Sequence, residues 1–88
     1  MKVRYIGDDL GATGFKSNKI YEVLEVDELT GGLRIIDESE EDYLYSPTKP
    51  AFLDGTYTGG KFEIIEDDID GSLYKAIYGN KYNLVSGK

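Results

Sequence analysis

The chain has 88 residues, 40% of them hydrophobic, and its 17 acidic and 10 basic side chains give a net charge of −7 at pH 7. This composition excludes an intrinsically disordered chain, and the length predicts a single globular domain with a thin core. The absence of cysteine and histidine excludes disulfides and thiolate metal sites, and it removes the commonest catalytic base and nucleophile.

The same composition predicts where the protein works and which partners it avoids. Carboxylates on exposed turns are well solvated, so we expect no enzymatic activity and no cofactor. The acidic centre of the chain lacks the cationic surface that nucleic acid requires, and no apolar run approaches the roughly 20 residues of a membrane span. Met1–Arg4 leads directly into a short strand rather than a signal peptide, so we expect a cytoplasmic protein.

Runs of strand-forming residues predict five β-strands separated by turns rich in glycine, proline or acids. The strands are predicted at Lys2–Ile6, Ile20–Val26, Leu33–Ile36, from Tyr43 to Tyr45, and at Lys61–Glu66. A loop is expected at 10–18, a hairpin turn at Gly31-Gly32 and an extended surface loop at 46–60. The alternation in the second strand is imperfect, which predicts a bulge or a bend that lets the strand serve two surfaces.

The last residues of the chain are compatible with two structures. In a helix, Asp70 caps the start, Leu73 and Ile77 lie on one side, and Gly79 ends it. In a hairpin, Gly79-Asn80 is the turn between 73–78 and 81–85. The four-residue spacing of Leu73 and Ile77 favours the helix, but both alternatives for 72–85 stay open.

Five short strands and few helical residues predict a mainly β fold, a small half-open antiparallel barrel or sandwich. Curling the sheet protects edges that otherwise invite aggregation. We expect a single domain with a β-barrel core at 1–66 and a C-terminal extension at 67–88 packed on that core.

Four segments carry a resemblance to known proteins: NKIYEV at 18–23, RIID at 34–37, DYLY at 42–45 and FEIIE at 62–66. They resemble small uncharacterised proteins of Firmicutes and their phages, whose pattern is a Gly-Lys-x-Tyr-Glu-Val strand, an Asp-rich turn before a Tyr-containing strand, and a closing Phe-Glu strand. The resemblance covers residues 1–66 and implies a Src-homology-3-like barrel but no activity. Asn18 stands where that group tends to have glycine.

A contact patch for an unknown protein partner is the main functional prediction. Tyr43 and Tyr45 lie two apart in a strand and therefore point to the same face. With Glu41 and Asp42 they form an aromatic and acidic surface of the kind that suits proline-rich or basic segments. The alternative is that these tyrosines simply pack at the edge of the core.

A weaker candidate is a calcium site at 66–72. Glu66, Asp68 and Asp70, followed by Gly71, match the first oxygen ligands and the glycine of a calcium loop. Position 12 of that loop falls on Ile77, which cannot supply the bidentate carboxylate. A solvated acidic turn that caps a short helix is the alternative.

The acids also suggest an acidic phosphate or DNA mimic of phage type. They cluster at 37–42 and at 66–70, in two turns that each follow an Ile-Ile strand end. If those turns lie side by side, their carboxylates form one surface. The alternative is that surplus acid keeps a small protein soluble.

Overall fold

The computed structural model describes residues 1–11, 13–51 and 57–79. It contains five strands, β1 (Lys2–Ile6), β2 (Ile20–Val26), β3 (Leu33–Ile36), β4 (Asp42–Tyr45) and β5 (Lys61–Glu66). They form one sheet in the order β4-β3-β2-β1-β5, and every neighbouring pair is antiparallel. The predicted mainly β class is confirmed. The barrel is not closed, because β4 and β5 are the two ends of the strand order and do not pair with each other.

The irregularity predicted in β2 is confirmed as a bulge. Val23 pairs with Ile35, but the next pair along the strand joins Glu25 to Arg34, so Leu24 is the extra residue. Ahead of the bulge, β2 pairs with β1, and from Val23 onward it pairs with β3. A bulge bends its strand and increases the local twist, which lets β2 join the two halves of a curled sheet.

The centre of the core is Phe15, which comes from the loop between β1 and β2. Its ring is fully buried, with centroids of four aromatic rings 4.5–5.5 Å away. Those rings belong to strands spread across the sheet: Tyr5, Tyr21, Tyr45 and Phe62. Leu10, from the same loop, is also buried. The loop predicted at 10–18 is therefore a part of the core that closes the concave side of the sheet.

A short helix follows β5. It consists of an α-helical turn, α1 (Ser72–Tyr74), that continues directly as one π-helical turn over Lys75–Gly79. Leu73 is buried in the core, and Ala76 and Ile77 pack against it. Residues 72–79 are therefore helical, whereas the second arm of the alternative hairpin, 81–85, lies outside the described residues. In the described ranges no helix is long and apolar enough to cross a membrane.

The predicted cap of this helix is wrong. Asp67 accepts hydrogen bonds from the amides of Leu73 (2.9 Å) and Tyr74 (3.0 Å), and Asp68 accepts from the amide and hydroxyl of Ser72 (2.8 and 2.6 Å). Asp70 takes no part in these bonds, because the residue before the helix is Gly71 in the left-handed conformation, with φ 72°. The turn folds back, so the carboxylates that reach the free amides come from four to seven residues earlier.

The antiparallel topology gives the sheet two distinct ends. β1 and β3 end at the same side, so the loop at 7–19 and the turn at 37–41 form what we call the upper end. β2, β4 and β5 end at the opposite side, so the turn at 27–32, the turn at 67–71 and the start of the helix form the lower end. The acidic clusters at 37–42 and 66–70 consequently lie at opposite ends, so the two turns do not lie side by side, which was the condition for one shared acidic surface.

Candidate functional site

The predicted contact patch divides between the core and the surface. Tyr43 and Tyr45 do face the same side of β4, opposite Ile35 and Leu33 of β3. That side is the core: Tyr45 is 3% exposed, and Tyr43 is half-buried against the core. The role predicted for these residues stays a prediction, and Tyr45 contributes mainly to the core.

The hydroxyl of Tyr45 belongs to a buried hydrogen-bond network. It donates to Oδ2 of Asp37 at 2.7 Å, and Asp37 is only 5% exposed. Oδ1 of Asp37 accepts from the amide of Ser39 (2.9 Å) and from its hydroxyl. Burial, together with the neighbouring Asp37 carboxylate, raises the pKa of Tyr45. This network holds the β3–β4 turn to the core and leaves no polar group free for chemistry.

The acids of the patch are exposed at the upper end. Glu41 accepts a hydrogen bond from the Tyr43 hydroxyl at 3.0 Å. Asp42 pairs with Arg34 at 3.2 Å, and Arg34 also pairs with Glu25 at 3.2 Å. The Asp42 and Glu25 carboxylates raise the pKa of Arg34. Asp42 is thus part of an ion-pair network on the outer face of the sheet.

A second tyrosine hydroxyl ties the upper loop to the β3–β4 turn. The Tyr21 hydroxyl accepts from the amide of Lys16 (2.7 Å) and donates to Glu38 (2.6 Å). The same Glu38 carboxylate pairs with Lys19 at 2.7 Å. Lys19, followed by Tyr21, lowers the pKa of Glu38, whereas burial, followed by the Glu38 bond, raises the pKa of Tyr21. The polar groups at this end are therefore engaged with one another.

The candidate calcium ligands are engaged elsewhere. Both oxygens of Asp68 accept from Ser72, which lowers the pKa of Asp68, and Glu66 pairs with Lys2 at 3.7 Å. Asp70 is exposed. Within the ranges that the structure describes, no three His, Cys, Asp or Glu side chains are grouped so as to hold a metal ion. The acidic turn acts as the helix cap that the alternative interpretation predicted.

A cavity at the lower end lies between β4 and the helix, and we call it the helix groove. Its volume is about 700 Å³. One wall comes from the end of β4 and the segment after it, the other from the helix, and the turn at 27–32 closes one end. The lining residues are Thr30, Gly32, Leu44, Tyr45, Ser46, Pro47, Thr48, Ala76, Ile77 and Tyr78. Cavities of roughly 300–1,000 Å³ with mostly apolar walls are typical of ligand sites.

A second cavity continues from the first on the other side of the turn at 27–32, and we call it the turn groove. Its volume is about 280 Å³, and its lining residues are Val26, Asp27, Glu28, Gly31, Ser72, Lys75 and Ala76. Ala76 lines both cavities. The two grooves therefore adjoin at this residue, and we call the pair the channel.

Exposed aromatic rings mark the outer side of the helix. Tyr74 and Tyr78 stack at a centroid distance of 5.2 Å, and Tyr78 is 57% exposed. Tyr78 lines the helix groove and also a smaller hollow beside Ile6 and the first residues of β5. The end of the helix thus stands between the two edge strands of the sheet.

Sequence reasoning missed the grooves because they depend on where the helix lies relative to the sheet. The sequence nevertheless contains two indications of an exposed apolar surface at this place. Leu44 lies between Tyr43 and Tyr45 and is an aliphatic residue that faces outward. Pro47 extends this apolar surface beyond the end of the strand. The spacing of Tyr74 and Tyr78 also places both rings on one side of a helix.

Comparison with known proteins gives no relative. No family model matches the chain, and neither a curated protein nor a solved structure shows significant similarity to it.

Proposed function

We propose that this protein is a non-enzymatic cytoplasmic domain that works by protein contact, and that it binds a short peptide segment of its partner in the helix groove. The observation that carries the proposal is a cavity of about 700 Å³ with apolar walls from Leu44, Pro47, Ile77 and Tyr78. The upper end supports the same choice, because the hydroxyls of Tyr21, Tyr43 and Tyr45 there already bond to carboxylates.

The groove has the two kinds of group that peptide recognition uses. Leu44 and Tyr78 are exposed hydrophobic residues that gain from burial by a partner. Ser46 and Thr48 place hydroxyls along the walls, where they can donate to the carbonyls of a bound backbone. Aromatic residues at the centre of a contact commonly carry much of its binding energy, which makes Tyr78 the principal anchor.

We also propose that the chain is related to the Src-homology-3-like proteins that its motifs resemble. The support is a five-stranded mainly β sheet and the backbone at Asn18, where φ is 67°. Glycine and asparagine are the residues that adopt this left-handed conformation most readily. An asparagine where the group tends to have glycine therefore keeps the same turn.

The acidic phosphate mimic is the weaker alternative. Its carboxylates lie at opposite ends of the sheet, and Asp37, Glu38, Asp67 and Asp68 are engaged in internal bonds. A phosphate mimic needs its charges arrayed on one accessible surface.

Selection from a random peptide display library against the full chain tests the proposal. We expect selected peptides to shift the amide NMR signals of Leu44, Thr48 and Ile77. Tyr78→Ala should weaken binding about tenfold, because it removes the anchor. The matched control is Ile65→Ala on the outer face of β5, which is similarly exposed and outside the groove, and it should change affinity less than twofold. Failure to select any binder, or binders that shift only signals of the upper end, would contradict the proposal.

A further inference from the structure

The partner segment can be specified further from the channel that the two grooves form. We infer that the helix groove and the turn groove together receive one cationic peptide segment, whose aliphatic or aromatic side chains lie in the helix groove and whose lysine or arginine lies in the turn groove. This inference rests on the proposed function, and it adds the chemistry of the partner.

The turn groove has an apolar floor with charged walls. Val26 and Ala76 are half-buried, while Glu28 and Lys75 are exposed beside them. Asp27 accepts from the amide and hydroxyl of Thr30 (2.9 and 2.8 Å), which lowers the pKa of Asp27 and keeps its carboxylate ionised. Glu28 therefore presents the carboxylate that a partner's cation can reach, and Lys75 supplies the one ammonium group among the lining residues. The long side chain of lysine or arginine suits such a place, because its aliphatic stem packs on apolar surface while its charge meets the acids.

Two further apolar side chains at the lower end are almost fully exposed. Leu29 follows Glu28 at the tip of the turn and is 94% exposed, and Ile69, in the other turn of the lower end, is 99% exposed. Apolar side chains exposed this fully gain most from a partner that covers them. The protein also carries a net charge of −7, which attracts a cationic segment and repels an acidic one.

Three synthetic peptides of equal length test the inference with the full chain. The first alternates lysine with leucine, the second replaces lysine by glutamate, and the third replaces leucine by serine. We expect only the lysine–leucine peptide to bind and to shift NMR signals in both grooves. Its affinity should fall as the ionic strength rises, because salt screens exposed charges.

Charge variants in the turn groove provide the sharper test. Glu28→Lys should weaken binding of the lysine–leucine peptide about fivefold, and Lys75→Gln should strengthen it about twofold, in keeping with the modest energy of exposed ion pairs. Asp8→Lys is the matched control, since it makes the same change of charge at the exposed upper end. It should change the affinity less than Glu28→Lys does.

The possible outcomes separate this inference from the proposed function. If the glutamate peptide binds the helix groove as well as the lysine peptide, the inference is overturned and the proposed function stands. If the lysine–serine peptide binds equally well, the attraction is nonspecific and the inference also fails. If groove signals shift with protein concentration and not with any peptide, a second copy of the chain covers the groove, and both proposals are overturned.

Discussion

The side chains at the two ends of the sheet differ in burial and in hydrogen bonding. At the upper end, Phe15 fills the core, and the hydroxyls of Tyr21 and Tyr45 are bonded to Glu38 and Asp37. At the lower end, aliphatic side chains such as Leu29 are almost completely exposed, and two grooves meet beside the helix. The difference shows that the residues most useful for binding by type, the tyrosines of the strands, are the ones that stabilise the fold. The proposed contact with a partner accordingly uses the lower end, where side chains outside the core are exposed.

The largest loss of stability should come from removing the ring of Phe15, which the loop of the upper end places at the centre of the core. Phe15→Ala is expected to lower the free energy of unfolding by about 3–5 kcal/mol, because it leaves a cavity among four aromatic rings. Urea denaturation followed by circular dichroism measures this. The matched control is Leu29→Ala at the lower end, expected to change stability by less than about 0.5 kcal/mol. If the two variants lost similar free energies of unfolding, the two ends would not differ in their contribution to stability.

A smaller effect is expected from the buried tyrosine hydroxyl. Tyr45→Phe should cost about 1–3 kcal/mol, because it leaves the buried carboxylate of Asp37 without one of its donors. Tyr43→Phe is the control, because its hydroxyl bonds to the exposed Glu41, which water solvates instead. The control should cost less than about 0.5 kcal/mol. Equal losses from the two variants in thermal and urea unfolding would show that the Asp37 network adds no stability.

The smallest effect is a loss of stability at alkaline pH. The pKa values of Tyr21 and Tyr45 are raised in the folded state, so both hydroxyls stay protonated there while the unfolded chain loses its phenol protons near pH 10. Their contribution is therefore complete at pH 8 and declines as the pH approaches and passes 10, so roughly 1 kcal/mol should be lost between pH 8 and pH 10. Urea midpoints at the two pH values measure the loss. Tyr21→Phe should reduce the difference by about half, and a protein equally stable at both values would contradict the assignment.

Strand positions were predictable because their signals are local. β1, β2, β3 and β5 begin and end where alternating β-branched and aromatic residues meet glycine or acidic turns, and β4 begins one residue earlier than predicted. The bulge in β2 was also visible, since Leu24 breaks the alternation of Tyr21 and Val23. These features depend on residues that are adjacent in sequence, so they can be read from one sequence alone.

What escaped prediction depends on residues that are distant in sequence. The burial of Phe15 requires rings from four strands, and nothing in the loop itself shows that they surround it. The choice of Asp67 and Asp68 over Asp70 as helix caps follows from the left-handed Gly71, which turns the chain back on itself. The grooves follow from the position of the helix against β4, set by the burial of Leu73. The burial of Tyr45 escaped prediction for the same reason, because the inward side of β4 was not identifiable from the spacing of its tyrosines.

The place of Phe15 also has a consequence for how the chain folds. Its partner rings include Tyr45 and Phe62, far along the sequence, so the loop that carries it cannot settle until β4 and β5 have joined the sheet. Contacts between distant residues carry a loop-closure cost before they contribute any stability, which slows folding. The loop should therefore be among the last segments to order during refolding, and its closure completes a cooperative transition rather than beginning it.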